Sequence, residues 1–117
     1  METWETRNLD VEAHHPQVLR SDSETRVILI HLPAGEQLQE HQVHERAFLF
    51  VADGEVTIEL AADAAGTGPG TVSGGPGLLA HFEPNERHAI TAVSDARLVL
   101  LLAPWPGVGH PSAQSGG

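Results

Sequence analysis

The chain of 117 residues contains no cysteine and no lysine. Without thiols it can form neither a disulfide scaffold nor a thiolate metal site, and a cysteine nucleophile is excluded with them. Any bound metal must therefore take nitrogen and oxygen ligands. Positive charge is scarce, because six arginines stand against sixteen carboxylates for a formal net charge of -10. Such a chain repels phosphate backbones, so no nucleic-acid partner is expected. No stretch approaches the ~18 consecutive apolar residues of a membrane helix. The opening METWETRNLDVEAHH is polar throughout and lacks an apolar signal core. A soluble cytoplasmic protein with no membrane partner is the expectation. The length suits one core that buries roughly two-thirds of the unfolded surface, and is too short for two.

What the chain has is a series of short periodic segments, most of them bounded by Gly, Pro, Asn or Asp clusters, and this pattern predicts an all-β fold. RVILIHL at 26 to 32 is aliphatic and β-branched and stops at Pro33. RAFLFVA at 46 to 52 ends at Asp53-Gly54, a strong hairpin signal, and EVTIEL at 55 to 60 alternates as a returning strand should. These two segments are predicted to form a hairpin. Residues 61 to 77 carry six glycines and two prolines and read as loop, mobile over 61 to 70, with one short strand at TVS. LLAHF, HAITAV and RLVLLLA follow as three further strands, and no segment makes a convincing helix. The chain divides into an N-terminal arm with a first short strand at 1–26, a barrel at 27–103 and a tail at 104–117. The tail opens on proline, so it cannot continue a central strand, and its last seven residues are expected to be disordered. About six to eight short strands in one small domain leave a sandwich, a barrel or the jelly roll that is both.

Four of the eight histidines, His41, His44, His81 and His88, lie in or beside the strands that flank the glycine-rich loop. Here the sequence resembles the cupins, small jelly-roll barrels carrying two short motifs. The first motif is glycine, five residues, His-x-His, three or four residues, glutamate, six residues, glycine. Gly35, His41 and Gly54 match it, while the second histidine falls on Val43 and the glutamate on Ala47, with His44 and Glu45 in neighbouring positions. In the second motif Gly77 and His88 hold their places, Glu83 stands where proline is usual, and Asn85 replaces the turn glycine. The resemblance covers residues 27 to 103 and implies a cupin-type double-stranded β-helix. The superfamily spans isomerases, dioxygenases, decarboxylases, storage proteins and sensors, so the fold alone implies no activity.

The resemblance implies a divalent metal (Zn, Fe, Mn or Ni) on His41 and His88. An ion of this kind wants at least three protein donors, so Glu45, His44 or His81 must complete the set. If one regular strand ran through this stretch, His41 and Glu45 would share a face and His44 would point away. That parity favours Glu45. The same regular strand would also hold His41 and Glu45 about 13 Å apart, at roughly 3.3 Å per residue. The ligands of the cupins span more residues than that, so the strand cannot be flat there, and a bulge or bend in HQVHE could bring either Glu45 or His44 inward.

The bland reading is a metal-free barrel whose ligand positions have drifted to Val43 and Ala47, a non-catalytic module that binds a small ligand or senses a metal. Glu45 and Arg46 would then form only a salt bridge at the barrel mouth. No cluster of arginines marks a phosphate site. From Ala47 to Val51 both strand faces are apolar, with Ala47, Leu49 and Val51 on one and Phe48 and Phe50 on the other. One face fills the barrel and the other needs a cover, so a homodimer is expected, with the tail as an intramolecular alternative.

Overall fold

The computed structural model describes residues 1–41, 45–60, 70–84 and 86–104, with the backbone alone at 39–41. The described residues form nine strands: β1 (Gln17–Ser21), β2 (Arg26–Leu32), β3 (Gln37–His41), β4 (Arg46–Asp53), β5 (Val56–Leu60), β6 (Gly70–Gly74), β7 (Leu79–Phe82), β8 (His88–Ala92) and β9 (Ala96–Ala103). No helix occurs among the described residues. The strands form a five-stranded sheet in the order β1-β2-β9-β4-β7 and a four-stranded sheet in the order β3-β8-β5-β6. Every pairing is antiparallel.

Alternation decides which side chains fill the space between the sheets. In β4 the inward Ala47, Leu49 and Val51 are buried while Phe48 and Phe50 are exposed. Ile30, Leu32, Val56, Ile58, Phe82, Ile90, Leu98 and Leu102 complete the same core from both sheets. Removing apolar surface of this kind from water stabilises the fold by about 1.5–3 kcal/mol for each fully buried aliphatic or aromatic side chain.

The Asp53-Gly54 turn is not a hairpin. β4 pairs with β7 and β9, and β5 pairs with β6 and β8, so the turn carries the chain from one sheet to the other. Gly54 has φ of 79°, and a Cβ there would lie 2.1 Å from the carbonyl oxygen of Asp95. Backbone crosses too closely at this corner for any side chain. The three glycines at motif positions, Gly35, Gly54 and Gly77, are also the three with positive φ among the described residues.

The departure from a flat strand at HQVHE lies nearby. His41 and Glu45 do not share one regular strand, because β3 belongs to the four-stranded sheet and Glu45 immediately precedes β4 of the five-stranded one. The expected mobile segment falls largely on 61–69, outside the described residues, as does the tail beyond Pro104.

The N-terminal arm packs on the outside of the larger sheet. Leu29 alternates with the core-facing Ile28 and Ile30, yet it is fully buried, and Val11 is buried too. Arg97, outward on β9, donates hydrogen bonds to the carbonyls of Thr6 and Leu9. Arg20 ties the arm to β1 from further out: its hydrogen bonds to Asp22 and Glu2, in that order of effect, hold its guanidinium pKa above the ordinary value.

Candidate functional site

The site is built on β8. Its first residue, His88, is 2 % exposed and lies on the inner face with Ile90 and Ala92. The His88 ring stacks on Phe82, with centroids 3.8 Å apart and planes 7° from parallel. Its Nδ1 is 3.1 Å from the carbonyl oxygen of Glu86. A carbonyl can only accept, so Nδ1 carries the proton, and in the neutral ring the lone pair belongs to Nε2. A carbonyl that fixes the tautomer in this way is the usual outer support of an imidazole ligand.

β3 brings the second histidine to the same place. Leu38 faces Ile90 and His41 faces His88, so β3 advances three residues while β8 advances two. The extra residue is a bulge, and it reverses the parity that plain alternation from Leu38 would give. His41 is therefore the register partner of His88. Residues 42–44, with Val43 and His44, lie outside the described residues.

Glu45 is 2 % exposed and immediately precedes β4, with the parity of the buried Ala47, Leu49 and Val51. Ala47, where the resemblance would put a glutamate, is itself buried and pairs with Phe82. Among the described residues no three histidine or carboxylate side chains gather closely enough to hold an ion. His44 and the imidazole of His41 stand outside that set.

His81 occupies a different surface. β7 turns Phe82 inward, so His81 faces out, its ring 4.8 Å from that of Phe48 and its Nδ1 3.9 Å from Glu83 Oε1. The structure brings it to Phe48 and Glu83, away from His88. Arg46 reaches the same carboxylate, with Nε 3.9 Å from Glu83 Oε2.

Phe82 is the site residue that sequence reasoning passed over. The signal was there in LLAHF, where period two puts Ala80 and Phe82 on one face and His81 on the other.

No protein-family model matches the chain, and no curated protein matches it either. Solved structures do. An RmlC-like cupin protein from Desulfovibrio desulfuricans superposes with a TM-score of 0.74 at 16% identity, over 89% of this chain and 97% of that one. An RmlC-like cupin with a double-stranded β-helix fold from Methanocaldococcus jannaschii gives 0.69 at 20% identity, over 98% and 96%. The oxalate decarboxylase of Bacillus subtilis, described with Mn(II) centres, gives 0.66 at 19% identity over 72% of this chain and 22% of that one. At these identities the likeness is one of fold.

Proposed function

Because the chain is a small domain of the cupin fold, we propose that it holds a divalent metal ion between His41, His88 and Glu45 and binds a small molecule beside it. The observation that carries this reading is the bulge in β3, which makes His41 the register partner of the buried His88. Directly paired positions of antiparallel strands have Cβ atoms about 4.5–5.5 Å apart on one face, a spacing from which two imidazoles can share an ion. The Glu86 carbonyl supports the reading by directing the His88 lone pair to Nε2. Glu45 supplies a buried oxygen donor, with His44 the next candidate. Nitrogen and oxygen donors of this kind suit zinc, iron, manganese or nickel. An ion held there would supply Lewis acidity to an oxygen of the bound molecule.

A second reading has its own support. Ala47 offers no donor where a fourth ligand would stand, and Phe82 covers one face of the His88 ring. This favours a metal-free module that binds a small ligand in the barrel without catalysis.

Calorimetry separates the two. Zinc, nickel, manganese and iron(II) are titrated at neutral pH into the wild type and into His41→Ala, His88→Ala and Glu45→Ala. Uptake by the wild type that either histidine variant loses supports the metal site. No uptake, or equal uptake by both histidine variants, leaves the metal-free reading. If Glu45→Ala alone is silent, the third donor passes to His44.

We propose also that the protein is a homodimer. Phe48 and Phe50 are 37% and 40% exposed on the outer face of β4. The half-buried Leu101 and Val99 flank them on β9. The N-terminal arm is anchored at the Ala96 end of β9, at Arg97, leaving along β4 an apolar strip that a second copy would cover.

A further inference from the structure

β6 and β7 are the last strands of their respective sheets and do not pair with each other. In the seam between them lies a cavity of about 230 Å³, walled by Ile58 and Leu60 of β5, Val72 of β6, and Leu79, Ala80 and Phe82 of β7. Its floor is core, with Ile58 and Phe82 only 4% and 3% exposed. Its rim is open and equally apolar, with Val72 and Leu79 at 49% and 62%. Among the described residues of the lining, His81 is the one ionisable residue. Two walls are shared with the candidate metal site, since Phe82 stacks on His88 and Leu60 is the register partner of His88.

We infer that this cavity binds a small uncharged molecule with a single ring or a short branched chain, and that this is the ligand class of the barrel. Volume is the first argument. An apolar cavity of about 150 Å³ accommodates benzene, whereas sites for drug-sized or nucleotide-like ligands run from about 300 to 1,000 Å³. A cavity of about 230 Å³ admits one substituted ring and excludes nucleotides, sugar nucleotides and oligosaccharides. Charge is the second argument. No arginine lines the cavity, the chain has no lysine, and the rim histidine lies beside the carboxylate of Glu83. A phosphate or carboxylate would find no cation there to offset its desolvation. An uncharged apolar body loses nothing by entering. The inference rests on the metal reading only for the statement that the bound molecule lies beside an ion; the cavity needs no metal to bind.

The test uses 4-fluorophenol and fluorobenzene, followed by ¹⁹F NMR line broadening, with the full chain in EDTA and again with zinc. The wild type is expected to bind at least one of them in EDTA with a dissociation constant below about 1 mM, within reach of a ligand with so few heavy atoms. Ala80→Met, which fills the cavity, and Val72→Trp, which blocks its rim at an exposed position, should each weaken binding at least tenfold while circular dichroism stays unchanged. Glucose 6-phosphate should not compete. No binding by the wild type, or binding by both folded variants within twofold of the wild type, overturns the inference. It is equally overturned if only a variant with residues 61–69 replaced by Asn-Gly binds, because the chain's own β5–β6 connection would then be the occupant. Zinc uptake is read separately with His88→Ala. Fluorophenol binding without zinc uptake sinks the metal reading alone, and zinc uptake without binding of either ring sinks this inference alone.

Discussion

His88 lies flat against Phe82 at a centroid separation of 3.8 Å, in a pair that joins the two sheets. Phe82 comes from the edge of the five-stranded sheet and His88 from the interior of the four-stranded one. The contact therefore both closes the core and holds the imidazole plane. Phe82→Ala should cost about 3–5 kcal/mol, as truncation of a buried aromatic ring generally does. Urea denaturation measures it, and a loss under about 1 kcal/mol would show that the ring is not a structural wall of the site.

Metal affinity should depend on pH in one direction. A protonated imidazole has no lone pair to give, and an ordinary histidine titrates near 6.5, so binding through two histidines weakens as pH falls through that range. From pH 7.5 to 5.5 the zinc affinity is expected to drop at least about tenfold. A flat calorimetric profile over that interval would mean that histidines do not hold the ion.

Gly54 and Gly35 share positive φ but differ in surroundings. A Cβ at Gly35 meets nothing within 4 Å, whereas one at Gly54 would run into the Asp95 backbone. Gly35→Ala should cost about 1 kcal/mol for the left-handed conformation alone. Gly54→Ala should cost clearly more. Equal denaturation midpoints for the two variants would contradict the close crossing of backbone at the corner.

Phe50→Asp tests assembly. The wild type is expected to scatter light as a dimer at micromolar concentration, and the variant as a monomer, because a carboxylate cannot be buried unpaired in an apolar interface. A wild-type monomer, with solubility unchanged in Phe50→Asp, would rule out the covered face.

Arg97 should act as the latch of the N-terminal arm. Removing its guanidinium leaves the carbonyls of Thr6 and Leu9 without their donor. In Arg97→Ala, amide hydrogen exchange over residues 5–11 should speed up several-fold while β9 keeps its protection. Unchanged exchange in the arm would assign its attachment to Val11 and Leu29 alone.

Much of the fold was legible in local pattern. β2 spans Arg26–Leu32 as its aliphatic run predicts, and the burial of β4 follows its period of two from Arg46 to Val51. Gly35, Gly54 and Gly77 could be read as turn positions because only a residue without a Cβ adopts positive φ at little cost. His88 stands buried at the start of its strand, where the second motif suggested.

Partner choice was a different matter. Asp53-Gly54 carries the chemistry of a hairpin, yet the strand after it joins the opposite sheet, while β4 pairs with the eight-residue, largely aliphatic β9 and with β7. A turn signal reports that the chain reverses, and nothing in it says which neighbour will complete the hydrogen bonds. The same limit explains β3, where one extra residue between Leu38 and His41 reverses the parity on which any reading of the strand depends. His81 differs, because its outward direction follows from local alternation with the buried Phe82. By itself the sequence determined the strands, their inward faces and the corners where only glycine fits, since these depend on alternation and backbone sterics within a few residues. Which strands pair, and so whether His41 meets His88, was decided only in the tertiary structure, where segments distant in the chain compete to bury the same apolar faces.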